Sequence, residues 1–137
     1  MDNHTREQRH INMTHIKSIS SLEVCVRKYL FSQGFRYRKN CKELPGKPDI
    51  VLPKYKTVIF VNGCFWHHHM GCKKAVFPKT NQEYWEAKLI RNQQRDLKNY
   101  EQLRNKGWEV IVLWECELSK NQIDKRLNQL VQSLKTH

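Results

Sequence analysis

The apolar positions of the 137-residue chain change period several times, and each change marks an element. Leu22, Cys25, Val26, Tyr29 and Leu30 recur at three- and four-residue steps, the spacing of one helical face. Ser20-Ser-Leu-Glu23 has the form of a capping box, so a helix is predicted over residues 20–33, with Gly34 stopping it. Phe35-Arg-Tyr-Arg38 alternates apolar and basic residues, as a half-buried strand would. Residues 50–52 and 57–61 are short apolar, β-branched runs on either side of a turn at 53–56, and they predict a hairpin. That hairpin puts Asp49 near one end with Val61 across from it, and Asn62-Gly63 then breaks the second strand.

The second half reads more simply. A long helix over residues 81–106 carries Trp85, Leu89, Tyr100 and Leu103 on its apolar stripe, and Asn92 and Asp96 fall on the same stripe. Gly107 ends it. Residues 108–114, Trp-Glu-Val-Ile-Val-Leu-Trp, predict a strong strand that delivers Glu115 and Cys116 at its C-terminal end. Ser119-x-x-Gln122 is expected to cap a last amphipathic helix with Ile123, Leu127, Leu130, Val131 and Leu134 facing in. The expectation is an α/β chain with one core. Residues 1–16 form a polar arm and residues 17–137 a single domain.

Charge narrows the partners. Lys and Arg number 25 against 13 Asp and Glu, a formal net charge of +12. Arg27, Lys28, Arg36, Arg38, Lys39, Lys42, Lys47, Lys54 and Lys56 crowd one stretch that holds only Glu43 and Asp49 as acids. Such an excess suits a polyanion, nucleic acid first, although a plain solvated face has the same composition. No apolar run reaches the ~20 residues of a membrane span, and the polar N-terminus has no signal-peptide pattern. Five cysteines, two of them inside a His-rich cluster, favour a reducing compartment and metal ligation over a disulfide framework.

The chemistry concentrates in residues 59–72, Ile-Phe-Val-Asn-Gly-Cys-Phe-Trp-His-His-His-Met-Gly-Cys. Cys64, His69 and Cys72 have the residue types of a tetrahedral zinc site, which needs a fourth ligand from elsewhere. The end of the 108–114 strand, with Cys116, is one place for it. His67 or His68 is then left as a candidate acid or base. Asp49 opens an apolar strand, a costly position for a carboxylate unless a cation is near, so Mg²⁺ is a reasonable occupant and a turn-capping role is the plain alternative. Asp96 on the core face of a helix needs a partner too, a histidine or an arginine.

The order of elements, with Pro48-Asp49 on a hairpin strand, resembles the core of restriction-endonuclease-like nucleases, in which a central mixed sheet is flanked by helices. Their usual Glu-x-Lys partner motif is absent, and Phe60-Val-Asn62 stands in its place. Phe60-x-x-Gly63-Cys64-Phe65-Trp66-His67, preceded by Leu44-Pro-Gly-x-Pro-Asp49 and followed by Trp114-Glu-Cys116, is similar to the Vsr family of very-short-patch mismatch-repair endonucleases. The resemblance spans residues 12–134.

The resemblance implies a Mg²⁺-dependent endonuclease that nicks double-stranded DNA 5′ of the thymine in T·G mismatches, which arise when 5-methylcytosine deaminates. It implies a monomer in the bacterial cytoplasm, associated with the nucleoid, with other DNA repair proteins as possible partners and no membrane. Asp49 would bind Mg²⁺ together with the Val61 carbonyl, and Glu23 would touch the metal's water shell. His67 would be the general acid or base, oriented by Asp96. Cys64, His69, Cys72 and Cys116 would hold a structural zinc, with His68 as the alternative histidine. Phe65, Trp66 and Met13 would wedge into the base stack, the alternative for the two rings being core packing. Asn62 stands where the family pattern has a histidine; it can hydrogen-bond a phosphate or a metal-bound water but carries no proton at neutral pH.

Overall fold

The 57–61 run becomes a strand that is buried at every position, and the rest of the sheet forms around it. The structure is a computed structural model that describes the backbone of residues 6–136 and the side chains of residues 19–136. In chain order the elements are α1 (Arg6–Ser32), β1 (Arg38–Lys39), β2 (Ile50–Leu52), β3 (Thr57–Asn62), α2 (Gln82–Asn105), β4 (Glu109–Trp114) and α3 (Ile123–Lys135). The strands form one mixed sheet in the order β1-β2-β3-β4. β2 and β3 pair antiparallel, with Ile50 opposite Ile59, and β3 and β4 pair parallel, with Asn62 opposite Trp114. Parallel neighbours need a crossover, and α2 supplies it.

Period-2 alternation sorts β3 onto two faces. Ile59 and Val61 pack with Ile50, Leu52 and Leu113 against Val26 and Leu30 of α1 and Leu127, Leu130, Val131 and Leu134 of α3. On the other face Val58 and Phe60 pack with Val51 against Tyr100 and Leu103 of α2. The domain is therefore a central mixed sheet between helices, as the hydrophobic pattern predicts. Among the described residues no helix is long and apolar enough to cross a membrane.

α3 begins at Ile123 behind Gln122, with no side-chain cap bond, rather than at a Ser119 cap, and two larger boundary changes are found. α1 begins at Arg6, well before Ser20. No Gly or Pro interrupts residues 6–32, so nothing upstream of the serines forces the chain out of the helix. Glu23 consequently sits inside the helix and accepts a hydrogen bond from Arg27 Nη1 at 2.7 Å, an i,i+4 pair in place of a capping box. For the arm at 1–16, residues 1–5 and every side chain up to 18 lie outside the described residues. The second difference is the strand predicted over 35–38, which shrinks to Arg38–Lys39. Its partner β2 is bracketed by Pro48 and Pro53, which donate no ladder hydrogen bond. Phe35 is still buried, in a loop, with its ring 5.1 Å from that of Tyr55.

Leu113 has no exposed surface and meets both α1-side and α3-side neighbours, whereas Val112 next to it is only partly buried. Leu113→Ala should therefore lower the unfolding free energy by about 3 kcal/mol and Val112→Ala by about 1 kcal/mol. Urea denaturation midpoints at constant slope would measure both; equal losses would mean that the two faces are equally filled.

Candidate metal and catalytic site

Beyond Asn62 the chain leaves the sheet in a compact coil of turns. His67 N–H donates to the Gly63 carbonyl, His69 N–H to the Cys64 carbonyl at 2.9 Å, and Cys72 N–H to the His69 carbonyl. His68 at φ 48° and Gly71 at φ 76° take the left-handed backbone that makes this winding tight. β4 ends at Trp114, opposite Asn62, so Cys64 and Cys116 each lie two residues past a paired position. The ligand atoms of Cys64, His69, Cys72 and Cys116 all lie within 4.8 Å of one another.

The separations discriminate among possible uses of this cluster. His69 Nδ1 is 3.6 Å from Cys64 Sγ and 3.5 Å from Cys116 Sγ. A tetrahedral ion with ordinary metal–sulfur and metal–nitrogen bonds has an S···N edge of about 3.6 Å. The four donors thus fit one tetrahedral metal, and no position is left open for substrate. Burial first, and then the neighbouring thiols of Cys116 and Cys72, push the Cys64 thiol up to about 12, so a cation's charge is what such a site needs to hold a thiolate. The histidine in this set is His69, whose ring stacks on Trp114 at 4.1 Å between centroids. His68 instead stacks on Phe77, 4.8 Å away. Glu115, buried beside the cluster, accepts from Cys64 N–H at 3.3 Å and lies 3.5 Å from Lys74 Nζ.

A second group of polar residues flanks the same strand end. Asp49 Oδ2 accepts a hydrogen bond from Val61 N–H at 2.7 Å, diagonally across the hairpin and one residue past Phe60, which the register sets opposite Asp49. Burial pushes the Asp49 carboxyl up to about 6; the Val61 N–H opposes this, nearby Glu23 adds to it, and the charges of His67 and Arg27 lower it. His67 Nδ1 lies 2.6 Å from Asp96 Oδ2, and both side chains are only partly exposed. The Asp96 carboxylate accepts, so Nδ1 carries the hydrogen, and in the neutral ring Nε2 keeps its lone pair. The partner that the α2 stripe demanded is therefore a histidine. Asn62 is buried and its Nδ2 donates to the Tyr100 hydroxyl at 2.8 Å.

Phe65 and Trp66 join a larger aromatic cluster. Phe65 is 5.1 Å from Trp66 and 5.8 Å from Trp85, and Tyr84 is 5.4 Å from Trp85. Lys88 Nζ sits 5.6 Å from the Trp85 ring and 5.8 Å from those of Trp66 and Tyr84, within cation–π range. Trp66 is 42% exposed, too open for a core ring. The Met13 side chain lies outside the described residues. Sequence reading placed Trp85 and Tyr100 on the core stripe and passed over Tyr84. The available signal at Tyr100 was its hydroxyl, since a buried tyrosine needs a polar partner.

A helix-flanked mixed sheet with an acid opening a central strand and a His–Asp couple at its edge defines the chain as a restriction-endonuclease-like α/β protein. The family profile described as DNA mismatch endonuclease Vsr matches residues 1–74. The type II nicking enzyme V.NmeAIP of Neisseria meningitidis is 55% identical over 114 residues, 82% of this chain and 81% of that one. V.XorIIP of Xanthomonas oryzae pv. oryzae, also a type II nicking enzyme, is 44% identical over 114 residues, 82% and 83% of the two chains. The DNA mismatch endonuclease Vsr of Escherichia coli K12 is 38% identical over 121 residues, 85% of this chain and 75% of that one. The chain belongs to the Vsr family of DNA endonucleases.

The raised Asp49 carboxyl has a pH signature. An acid whose folded pKa, about 6, exceeds its unfolded value of about 3.9 binds more protons when folded. Its cost is absent below about pH 4, grows between pH 4 and 6, and is complete above. Asp49→Asn keeps an oxygen for the Val61 N–H and removes the charge. Without added divalent cation, the variant should match wild type near pH 4 and exceed it by roughly 2–3 kcal/mol at pH 8. Denaturant titrations across that range measure the difference, and a pH-independent gap would contradict the assignment.

Proposed function

We propose that this chain nicks duplex DNA 5′ of the thymine in T·G mismatches, and that Asp49, His67 and Asp96 form its catalytic centre. The observation that carries the reading is the His67–Asp96 couple, 2.6 Å apart, on the turn that also presents the exposed ring of Trp66. The mismatch endonuclease of E. coli, 38% identical, supports the T·G substrate.

The reaction is in-line attack of water on a phosphodiester. His67 Nε2, its lone pair fixed by the Nδ1–H bond to Asp96, takes the proton of the attacking water, and Asp96 stabilises the imidazolium that results. Asp49, with Glu23 near it and the Val61 carbonyl as a further oxygen ligand, is suited to a hard divalent cation such as Mg²⁺, because a carboxylate buried at that cost regains its charge beside one. When bound, Mg²⁺ neutralises developing charge on the phosphate and leaving oxygen. Cys64, His69, Cys72 and Cys116 are suited to Zn²⁺, whose role in a closed S₃N set is structural. Asn62 is turned to Tyr100, so its contribution runs through that hydroxyl.

Substrate choice falls to the aromatic cluster. Phe65 and Trp66, with Met13 of α1, enter the base stack, and unstacking costs a few kcal/mol, least at a poorly paired step. Basic residues between Arg27 and Lys56 hold the phosphates and make binding salt-dependent. The chain acts as a monomer in the bacterial cytoplasm, at the nucleoid, alongside other repair proteins. A second reading, a nicking enzyme with a different mismatch or sequence context, is favoured by the 55% identity to V.NmeAIP.

End-labelled duplexes that differ only in T·G or T·A at one position test the proposal. Wild type with Mg²⁺ should cut the thymine strand of the T·G duplex alone. Asp49→Ala should bind that duplex nearly as well yet cut it at least about 10³-fold more slowly, because affinity comes chiefly from phosphate contacts. Phe65→Ala/Trp66→Ala should cut T·G and T·A duplexes at similar rates while keeping the cation requirement. Equal cutting of both duplexes by wild type would support the second reading instead.

A further inference from the structure

α2 meets the end of β3 at two polar points one helical turn apart. Asp96 Oδ2 takes the hydrogen of His67 Nδ1 at 2.6 Å, and the Tyr100 hydroxyl takes a hydrogen from Asn62 Nδ2 at 2.8 Å. Positions four apart lie on one helix face, so both bonds point the same way off α2. Their partners are equally close in the chain, Asn62 closing β3 and His67 lying five residues later in the turn. His67, Asp96 and Tyr100 also line one cavity of about 160 Å³.

The two bonds differ in exposure. His67 and Asp96 retain 33% and 18% of their side-chain surface, so water competes for that contact. Asn62 and Tyr100, counted as whole residues, are only 3% and 6% exposed. An unmade bond there would leave a buried amide unsatisfied, at a cost water cannot relieve. The ring of Tyr100 is further fixed by Phe60 of β3, 5.0 Å away. An aromatic core contact needs no hydroxyl and a strand end needs no amide, so shape alone does not explain the pair.

We propose that Tyr100 and Asn62 are positioning residues for the His67–Asp96 couple: their buried hydrogen bond fixes α2 against the end of β3 so that Asp96 meets Nδ1 of His67. The couple sits where water can break it, and the dry bond one turn away sets its register. Loss of the hydroxyl lets α2 shift by a fraction of an ångström, enough to loosen a contact of 2.6 Å. The imidazole then samples both tautomers, and Nε2 carries a hydrogen for part of the time.

The kinetic half of this inference rests on the nuclease reading above; the spectroscopic half does not. Tyr100→Phe removes the hydroxyl but leaves the Asn62 amide buried, so Asn62→Leu/Tyr100→Phe, which removes both polar ends, is the better-folded control. Ring-nitrogen NMR shifts of His67 report which nitrogen is protonated. Wild type should show Nδ1–H alone, and both variants a mixture. With T·G duplex, kcat should fall about tenfold or more while KM changes little, the pattern of a misplaced catalytic group. A folded double variant with the wild-type tautomer overturns the proposal. So does loss of fold in both variants, which would make the pair structural. If wild type nicks no duplex but the tautomer shifts as described, the positioning stands and the nuclease reading falls.

Discussion

The parallel pairing of β3 with β4 is the constraint on which the ligand cluster, the His67–Asp96 couple and the Asn62–Tyr100 bond depend. Its register sets Asn62 beside Trp114, so the two chains leave the sheet together and Cys64 and Cys116 arrive at the same height. A slip of one residue would turn every side chain to the opposite face. It would send Leu113 out of the core and pull Cys116 away from the cluster. The same pairing requires a crossover, and α2 is the segment that makes it, which brings Asp96 and Tyr100 back over the end of β3. Ligand cluster, His–Asp couple and buried amide bond are three consequences of one strand pairing.

The polar groups gathered there work against folding. Asp49 is held where burial favours its neutral form, and Asn62 occupies a buried strand end that an apolar residue would fill more cheaply. Such sites survive in stable proteins because the core elsewhere compensates. Here the compensating core is plain. Leu30, Ile50, Leu52, Ile59, Leu113, Leu130 and Leu134 are essentially unexposed and belong to one cluster beneath β3. These polar groups sit on the rim of that cluster, where α1, β2 and the turn after β3 converge, dry enough to interact while His67 and Asp96 still reach solvent.

Much of this was legible in the chain because the informative residues are local. Thr57–Asn62 and Glu109–Trp114 announce themselves by period, with ends one residue from expectation, and α3 by its apolar stripe, although it starts at Ile123 and not at a Ser119 cap. Asp96 was marked by being a carboxylate on an apolar stripe. What the sequence hid is what depends on contact across it. The choice of His69 over His68 is set by a left-handed residue at 68 that turns the two rings to opposite sides, one onto Phe77 and one onto Trp114. Tyr100 and Trp85 fit a helical stripe as ordinary core residues, and only packing reveals a hydroxyl paired with Asn62 and a ring shared with Phe65 and Lys88. The early start of α1 was hidden by serines that mimic a cap but have no chain break before them.

With Zn²⁺ in the cluster, as proposed, X-ray absorption at the zinc edge tests the closure of that strand pairing most directly. The register predicts three sulfurs at about 2.3 Å and one nitrogen at about 2.0–2.1 Å, with no oxygen neighbour. A shell of two sulfurs completed by water or carboxylate oxygen would contradict it, because Cys64, Cys72 or Cys116 would then be standing outside the site.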